Sequence, residues 1–217
     1  GSVGEILTEK SGNLNLGANH LTLGNGNRPT CYLTTYTGVI SGSGSVTKTE
    51  PYKQIFGTIN TYSGGTILRG GILEVPASNN TALGSGPVTL DGGTLLAAGP
   101  LVLDNTINVA PGGGLLDTGS RTVVFNGALS GSGTLRTSGN GLLVVNQTGT
   151  FTGILETNGG VTLSQPGALG SGILRLGGNL LLTADQALAG LRTLVSAVTI
   201  DTSSHTLSID GPIEVAV

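Results

Sequence analysis

Cysteine is nearly absent: Cys31 is the only one among 217 residues. That excludes an internal disulfide and any cysteine cluster of the kind that holds zinc. Charge is scarce as well. Charged residues make up 10% of the chain, the net charge is -3 and the isoelectric point lies near 5.2. Such a balance exerts no pull on nucleic acid or on an anionic membrane surface, so neither is expected as a partner. No apolar run approaches the roughly 20 residues that span a bilayer, and no membrane insertion by this segment is expected. A leader peptide is missing too, but the opening Gly1-Ser2 reads as a protease-cleavage scar, so this absence carries no information about compartment.

Glycine fills the space left by charge and aromatics. The chain holds 39 glycines yet has a mean hydropathy of +0.25, and disordered chains combine low hydropathy with high charge. A collagen-like chain would need glycine at every third residue, a period not present here. Instead the sequence repeats over a long interval. "GVISGSGSVTKT" at 38–49 returns as "GALSGSGTLRTS" at 127–138, "TALGSGPVTLDGGTL" at 81–95 as "GALGSGILRLGGNL" at 167–180, and "LLDTGSRTVVFNGAL" at 115–129 as "TIDTSSHTLSIDGPI" at 199–213. The interval is roughly 85–89 residues, which divides the chain into units of about 15–98, 99–182 and a partial 183–217.

Within each unit apolar residues come in pairs two apart. Examples are Leu73/Val75, Val88/Leu90, Leu101/Leu103, Ile107/Val109, Val123/Phe125, Leu143/Val145, Val161/Leu163, Leu174/Leu176, Val198/Ile200 and Leu207/Ile209. A spacing of two places both side chains on one face of a short strand. Between the pairs lie Gly-Gly, Ser-Gly, Asn-Gly or Asp-Gly, which suit tight corners. The segment 183–194 has the strongest helical character, and it is read as a variant coil in preference to a short helix. A sandwich or barrel would also show frequent turns, but it would not repeat its own sequence along its length. The pattern predicts an all-β, right-handed parallel β-helix, one continuous solenoid over 1–217 cut from a longer array, with a narrow interior of stacked Leu, Ile and Val.

The stretch from Gly42 to Leu95, and above all "NTYSGGT" at 60–66, resembles the autotransporter-associated β-strand repeat of bacterial autotransporter passengers and large filamentous adhesins. A second copy, "GTFTGILETNGGVTL" at 149–163, departs from it, with Phe151 in the place of Tyr62. The resemblance implies a right-handed parallel β-helix exported across the outer membrane to the extracellular face of a Gram-negative cell, as a secreted or surface-attached adhesin.

For chemistry there is little to gather. The acids are few and scattered, and Asp91 and Asp210 precede glycine, where an aspartate commonly shapes a turn. His20 and His205 fall at equivalent repeat positions, with Arg121 between them in register, and read as one recurring polar position. No nucleophile elbow, phosphate loop or acidic calcium loop is present. The chain is therefore expected to be no enzyme and to need no cofactor or metal. A binding site is better supported. The segment 25–35 is an insertion relative to the second copy, and "EPYK" at 50–53 replaces "GNGL" at 139–142. Departures from a scaffold's monotony mark loops that contact ligands. Arg28, Tyr32, Glu50, Tyr52 and Lys53 are the candidate residues, rings to stack on sugars and polar groups to hold hydroxyls; Tyr36, which aligns with Phe125, is assigned to the core. The expected function is a non-enzymatic adhesin rod contacting glycans, exopolysaccharide, host surface molecules or sister rods. The alternatives are an export stalk for another domain and, less favoured, a polysaccharide-processing enzyme.

Overall fold

The computed structural model of the protein describes residues 12–24, 33–76, 81–195 and 197–215. Its strands pair in parallel throughout, and no helix occurs among the described residues. Three sheets of ten, seven and six strands run side by side, with two-stranded sheets near each end. One coil shows the plan. The strands Leu101–Leu103, Ile107–Val109 and Gly114–Gly119 belong to the six-, seven- and ten-stranded sheets in turn, and the next strand, Thr122–Phe125, stacks directly on the first. The protein is a parallel β-helix of about nine turns, since ten strands leave nine intervals. At ~4.8 Å per interval the solenoid is about 43 Å long.

The paired apolar residues point inward. Every pair from Leu73/Val75 to Leu174/Leu176 is buried, and the rungs are in register: Leu101, Val123, Leu143, Val161 and Leu180 form one column. Each buried aliphatic side chain contributes roughly 1.5–3 kcal/mol, and a thin core gains its stability by repeating that term coil after coil. Val198 and Ile200 differ, being half-buried and 37% exposed. Ile200 keeps the inward register opposite Leu180, but the last described coil is covered from one side. Segment 183–194 is a coil, carrying the strands Gln186–Leu188 and Gly190–Thr193. Tyr36 and Phe125 are both core residues, 2% and 0% exposed.

The long sequence repeat does not return to the same side of the solenoid. Ser45–Lys48 lies in the seven-stranded sheet, while its matching strand Thr134–Gly139 lies in the ten-stranded sheet. Four steps along the first sheet lead from Ser45–Lys48 to Leu129–Gly131, and Thr134–Gly139 is the next strand in the chain. The same displacement carries Thr94–Ala97 to Leu180–Leu182, and Thr122–Phe125 to Leu207–Ile209. Each repeat therefore advances four turns and one further side. The sequence words specify a strand and its corner, and any of the three sides accepts them.

Two coils interrupt the side occupied by the six-stranded sheet, and "NTYSGGT" is built to bridge them. No strand forms at 60–62 or 82–84. The Asn60 side chain substitutes for the missing ladder: its Oδ1 accepts the Ile40 N–H at 2.8 Å and its Nδ2 donates to the Ala82 carbonyl at 2.6 Å. Tyr62 is fully buried and lies 2.5 Å from Thr66 Oγ1; the Thr66 hydroxyl donates to the Leu83 carbonyl at 2.9 Å. Burial pushes the Tyr62 phenol well above its usual pKa, so it stays neutral. The next coil lays Gly84, at φ +69°, on this ring; a Cβ there would lie 2.9 Å from ring carbons, so only glycine fits. Asn105 then closes the turn from above, donating to the carbonyls of Gly84 and Gly86 at 3.0 and 2.6 Å. In the second copy Phe151 replaces Tyr62, and Gln186 holds the turn above it at other points, accepting from Ala168 N–H and donating to Gln165 O.

One buried polar atom lacks a partner among the described residues, Thr157 Oγ1. An unpaired hydroxyl in an apolar interior costs roughly 1–3 kcal/mol. Thr157→Val, of nearly the same shape, is expected to raise stability by about 1 kcal/mol and the unfolding midpoint by roughly 2–4 °C. A lower midpoint by calorimetry would mean that this hydroxyl is paired after all.

Candidate functional site

Two of the five residues singled out from sequence, Arg28 and Tyr32, lie outside the described residues, as does Cys31. The other three occupy the corner between the strands Ser45–Lys48 and Lys53–Phe56. Glu50 and Tyr52 are half-buried there. Lys53 is tied to the next coil, its Nζ 2.6 Å from Glu74 Oε2. The corner is tightly seated. Gly71, at φ +64°, passes so close above that a Cβ on it would lie 1.9 Å from the Glu50 carbonyl oxygen.

Beneath this corner sits a residue that the sequence reading passed over. Lys48 faces the interior, between Leu23 of the coil below and Leu68 of the coil above, and is 3% exposed. Its Nζ donates to the Glu50 carbonyl. Burial lowers its pKa to about 8, against the opposing attraction of Glu50. Across the corner the first inward residue of the following strand, Gln54, is also buried and polar, with Nε2 donating to the Ile55 carbonyl at 3.0 Å. The coils above place Leu68 and Leu73, then Leu90 and Leu95, at these two positions. A signal for Lys48 was visible, since it stands two residues after Val46, where the spacing pattern requires an aliphatic.

Outside, the three long sheets differ in chemistry. The ten-stranded sheet carries ions in register: Arg136, Glu156, Arg175, Arg192 and Glu214 follow one another from strand to strand. Glu156 lies 3.2 Å from Arg136 and 3.3 Å from Arg175, and Arg192 3.4 Å from Glu214. The six-stranded sheet turns Val102, Val124, Val144, Thr162 and Leu181 outward in one column. At its edge Asn146 donates to Asn126 and Asn126 to Asp104, at 3.0 and 2.8 Å. The seven-stranded sheet presents Thr22, Thr47, Ile67, Thr89, Asn108, Ser130 and Thr150, a row of neutral polar groups broken once.

Several remaining acids have local structural partners. Asp91 pairs with Arg69 at 3.5 Å, Asp117 accepts the Gly119 N–H and Asp201 the Ser203 N–H, and Asp185 accepts the Thr206 N–H at 2.8 Å. His20 bonds Ser45 Oγ at 2.6 Å near the start of the solenoid, while His205 stands 3.7 Å from Asp185 near its end. Nine coils, on the order of 40 Å, separate the two imidazoles, and Arg121 lies just before the strand Thr122–Phe125 of a different sheet. The three do not meet at one centre. Among the described residues no three His, Cys, Asp or Glu side chains gather to hold a metal ion, and no helix is long and apolar enough to cross a membrane. No family model, curated protein or solved structure matches the chain.

Proposed function

We propose that this chain is a segment of an exported, cell-surface adhesive rod, of the kind found in autotransporter passengers and filamentous adhesins, acting without catalysis. The observation that supports this reading is a set of outward columns, each uniform over several coils. Ions run from Arg136 to Glu214, valines from Val102 to Val144 and neutral polar groups from Thr89 to Thr150, so each column is a straight strip suited to an extended partner. A solenoid also lengthens by adding coils, with no need for a wider core, which serves reach. The resemblance of "NTYSGGT" to the autotransporter repeat supports the export route.

Beads coated with the protein are expected to be retained under flow on at least one of three surfaces: epithelial cells, extracellular matrix or a bacterial biofilm. Albumin-coated beads supply the background. Retention at background on all three would overturn the adhesive reading and leave that of an export stalk.

A further inference from the structure

We infer that the free edge of the strand Ile213–Glu214 is a docking site for a further β-strand, supplied by a second polypeptide, in which Lys or Arg stands between two apolar residues. This goes beyond the adhesive reading and does not rest on it. Three sheets stop at one coil: Ile200–Asp201, Leu207–Ile209 and Ile213–Glu214 each lie at the outer limit of a sheet and pair on one side only. Such an edge offers backbone N–H and C=O groups to an incoming strand.

The apolar flanks of the incoming strand follow from the interior. Ile213 lies opposite Leu191 and continues its inward column; Val215, two residues on, shares that face. Leu191 is 5% exposed, whereas Ile213 and Val215 are 62% and 67% exposed, more than any other large hydrophobic residue described. Apolar side chains laid over these two would remove that surface from water. The opposite end of a second copy brings no matching bare face, because the inward residues of the first described coil, Leu16, Leu21, Leu23 and Tyr36, are already buried.

The central cation follows from the ion column. Glu156 is held from both sides, 3.2 Å from Arg136 of the strand before and 3.3 Å from Arg175 of the strand after. Glu214 has the first of these partners, Arg192 at 3.4 Å, and no strand among the described residues on its other side. The strand that brings Arg175 to Glu156 reads Leu174-Arg175-Leu176, with both leucines buried. The same three-residue pattern beside Ile213–Glu214 would set a cation against Glu214 and apolar groups over Ile213 and Val215. The wider field favours a basic partner as well. Residues 183–217 hold Asp185, Asp201, Asp210 and Glu214 against Arg192 alone, a net charge of -3 that equals the net charge of the whole chain. His205, the one imidazole in this region, stands beside Asp185 at 3.7 Å. An excess of one sign steers partners of the other.

The test is an NMR titration of the full chain, labelled with nitrogen-15, with the peptide SGILRLGGN, a copy of residues 171–179. A second peptide carries Arg175→Glu. Amide shifts are expected to grow with the first peptide and to concentrate at residues 213–215, and added salt should weaken the binding. The Arg175→Glu peptide should bind roughly five- to tenfold more weakly, since an attraction across the strands becomes a repulsion. In the Glu214→Lys protein, an exposed change that should leave the unfolding midpoint within a few degrees of wild type, the preference between the two peptides should reverse. Shifts absent from residues 213–215, equal binding of the two peptides by the wild-type chain, or an unchanged preference in Glu214→Lys would each overturn the inference. So would a dimer of the peptide-free chain by analytical ultracentrifugation with its contact at these amides, which would give the edge to a second copy.

Discussion

Lys48→Met is expected to raise stability at pH 7 by about 2–3 kcal/mol, a shift of roughly 5–10 °C in the unfolding midpoint. The lysine stands in an inward column between Leu23 and Leu68, so its ammonium is held in an apolar stack and satisfied chiefly by the Glu50 carbonyl. Methionine has a similar unbranched stem and leaves no charge in the interior. The pH dependence offers a second measurement of the same energy. In the folded chain the Lys48 pKa is about 8, against roughly 10.4 when unfolded. Between those values the unfolded chain binds more protons, so stability rises with pH. Below about 8 the penalty is present in full, and above about 10.4 it is gone. The gain across that window is about 3 kcal/mol, and it should vanish in Lys48→Met. Equal pH profiles for the two proteins by chemical denaturation would show that Lys48 is solvated. The site then has a plain reading: a cation kept at the cost of stability directly beneath the Glu50–Lys53 corner.

Asn60→Ala is expected to be among the most damaging substitutions of a buried polar residue in the chain, costing about 2–5 kcal/mol. Its amide serves two coils at once, pairing the Ile40 N–H below and the Ala82 carbonyl above, and both would be left buried and unpaired. Asn105→Ala strands only the carbonyls of Gly84 and Gly86, and under-satisfied carbonyls are better tolerated than bare N–H groups; about 1–3 kcal/mol is expected. Asn108→Ala, outward-facing and without an internal partner, should stay within about 0.5 kcal/mol of wild type. Urea denaturation of the three variants checks the order. A small effect at Asn60 would mean that the coils of this motif are held by backbone pairing alone.

The parallel solenoid was legible in the sequence because its two signals are local. Pairs such as Val123/Phe125 state which way a strand faces, and the glycines between them state where the chain turns. The assignment of Tyr36 to the interior followed from its alignment with Phe125. What could not be read was the rotation of the repeat. Ser45–Lys48 and Thr134–Gly139 match as strings but lie in different sheets, because a strand with its corner carries no label for the side it will occupy. Nor did the motif reveal that Asn60 bridges a gap; an asparagine before Thr-Tyr-Ser-Gly-Gly reads as a turn residue until the coils on either side are in place. The candidate binding corner was legible only as a departure from the repeat. The row of Thr, Asn and Ser was hidden by its own spacing, about 20 residues from rung to rung, which no short motif spans.

Distances between spin labels test the solenoid and its straight outer row together. With Cys31 replaced by serine, labels are placed at Thr150 and, in separate molecules, at Thr89 and Thr22. These positions lie three and six strands from Thr150 on the seven-stranded sheet. The backbone separations should be about 14 and 29 Å, in proportion to strand count at ~4.8 Å per strand, with narrow distributions. Separations that do not double from the first pair to the second, or a Thr22–Thr150 distance as short as that of facing sheets, would contradict the account.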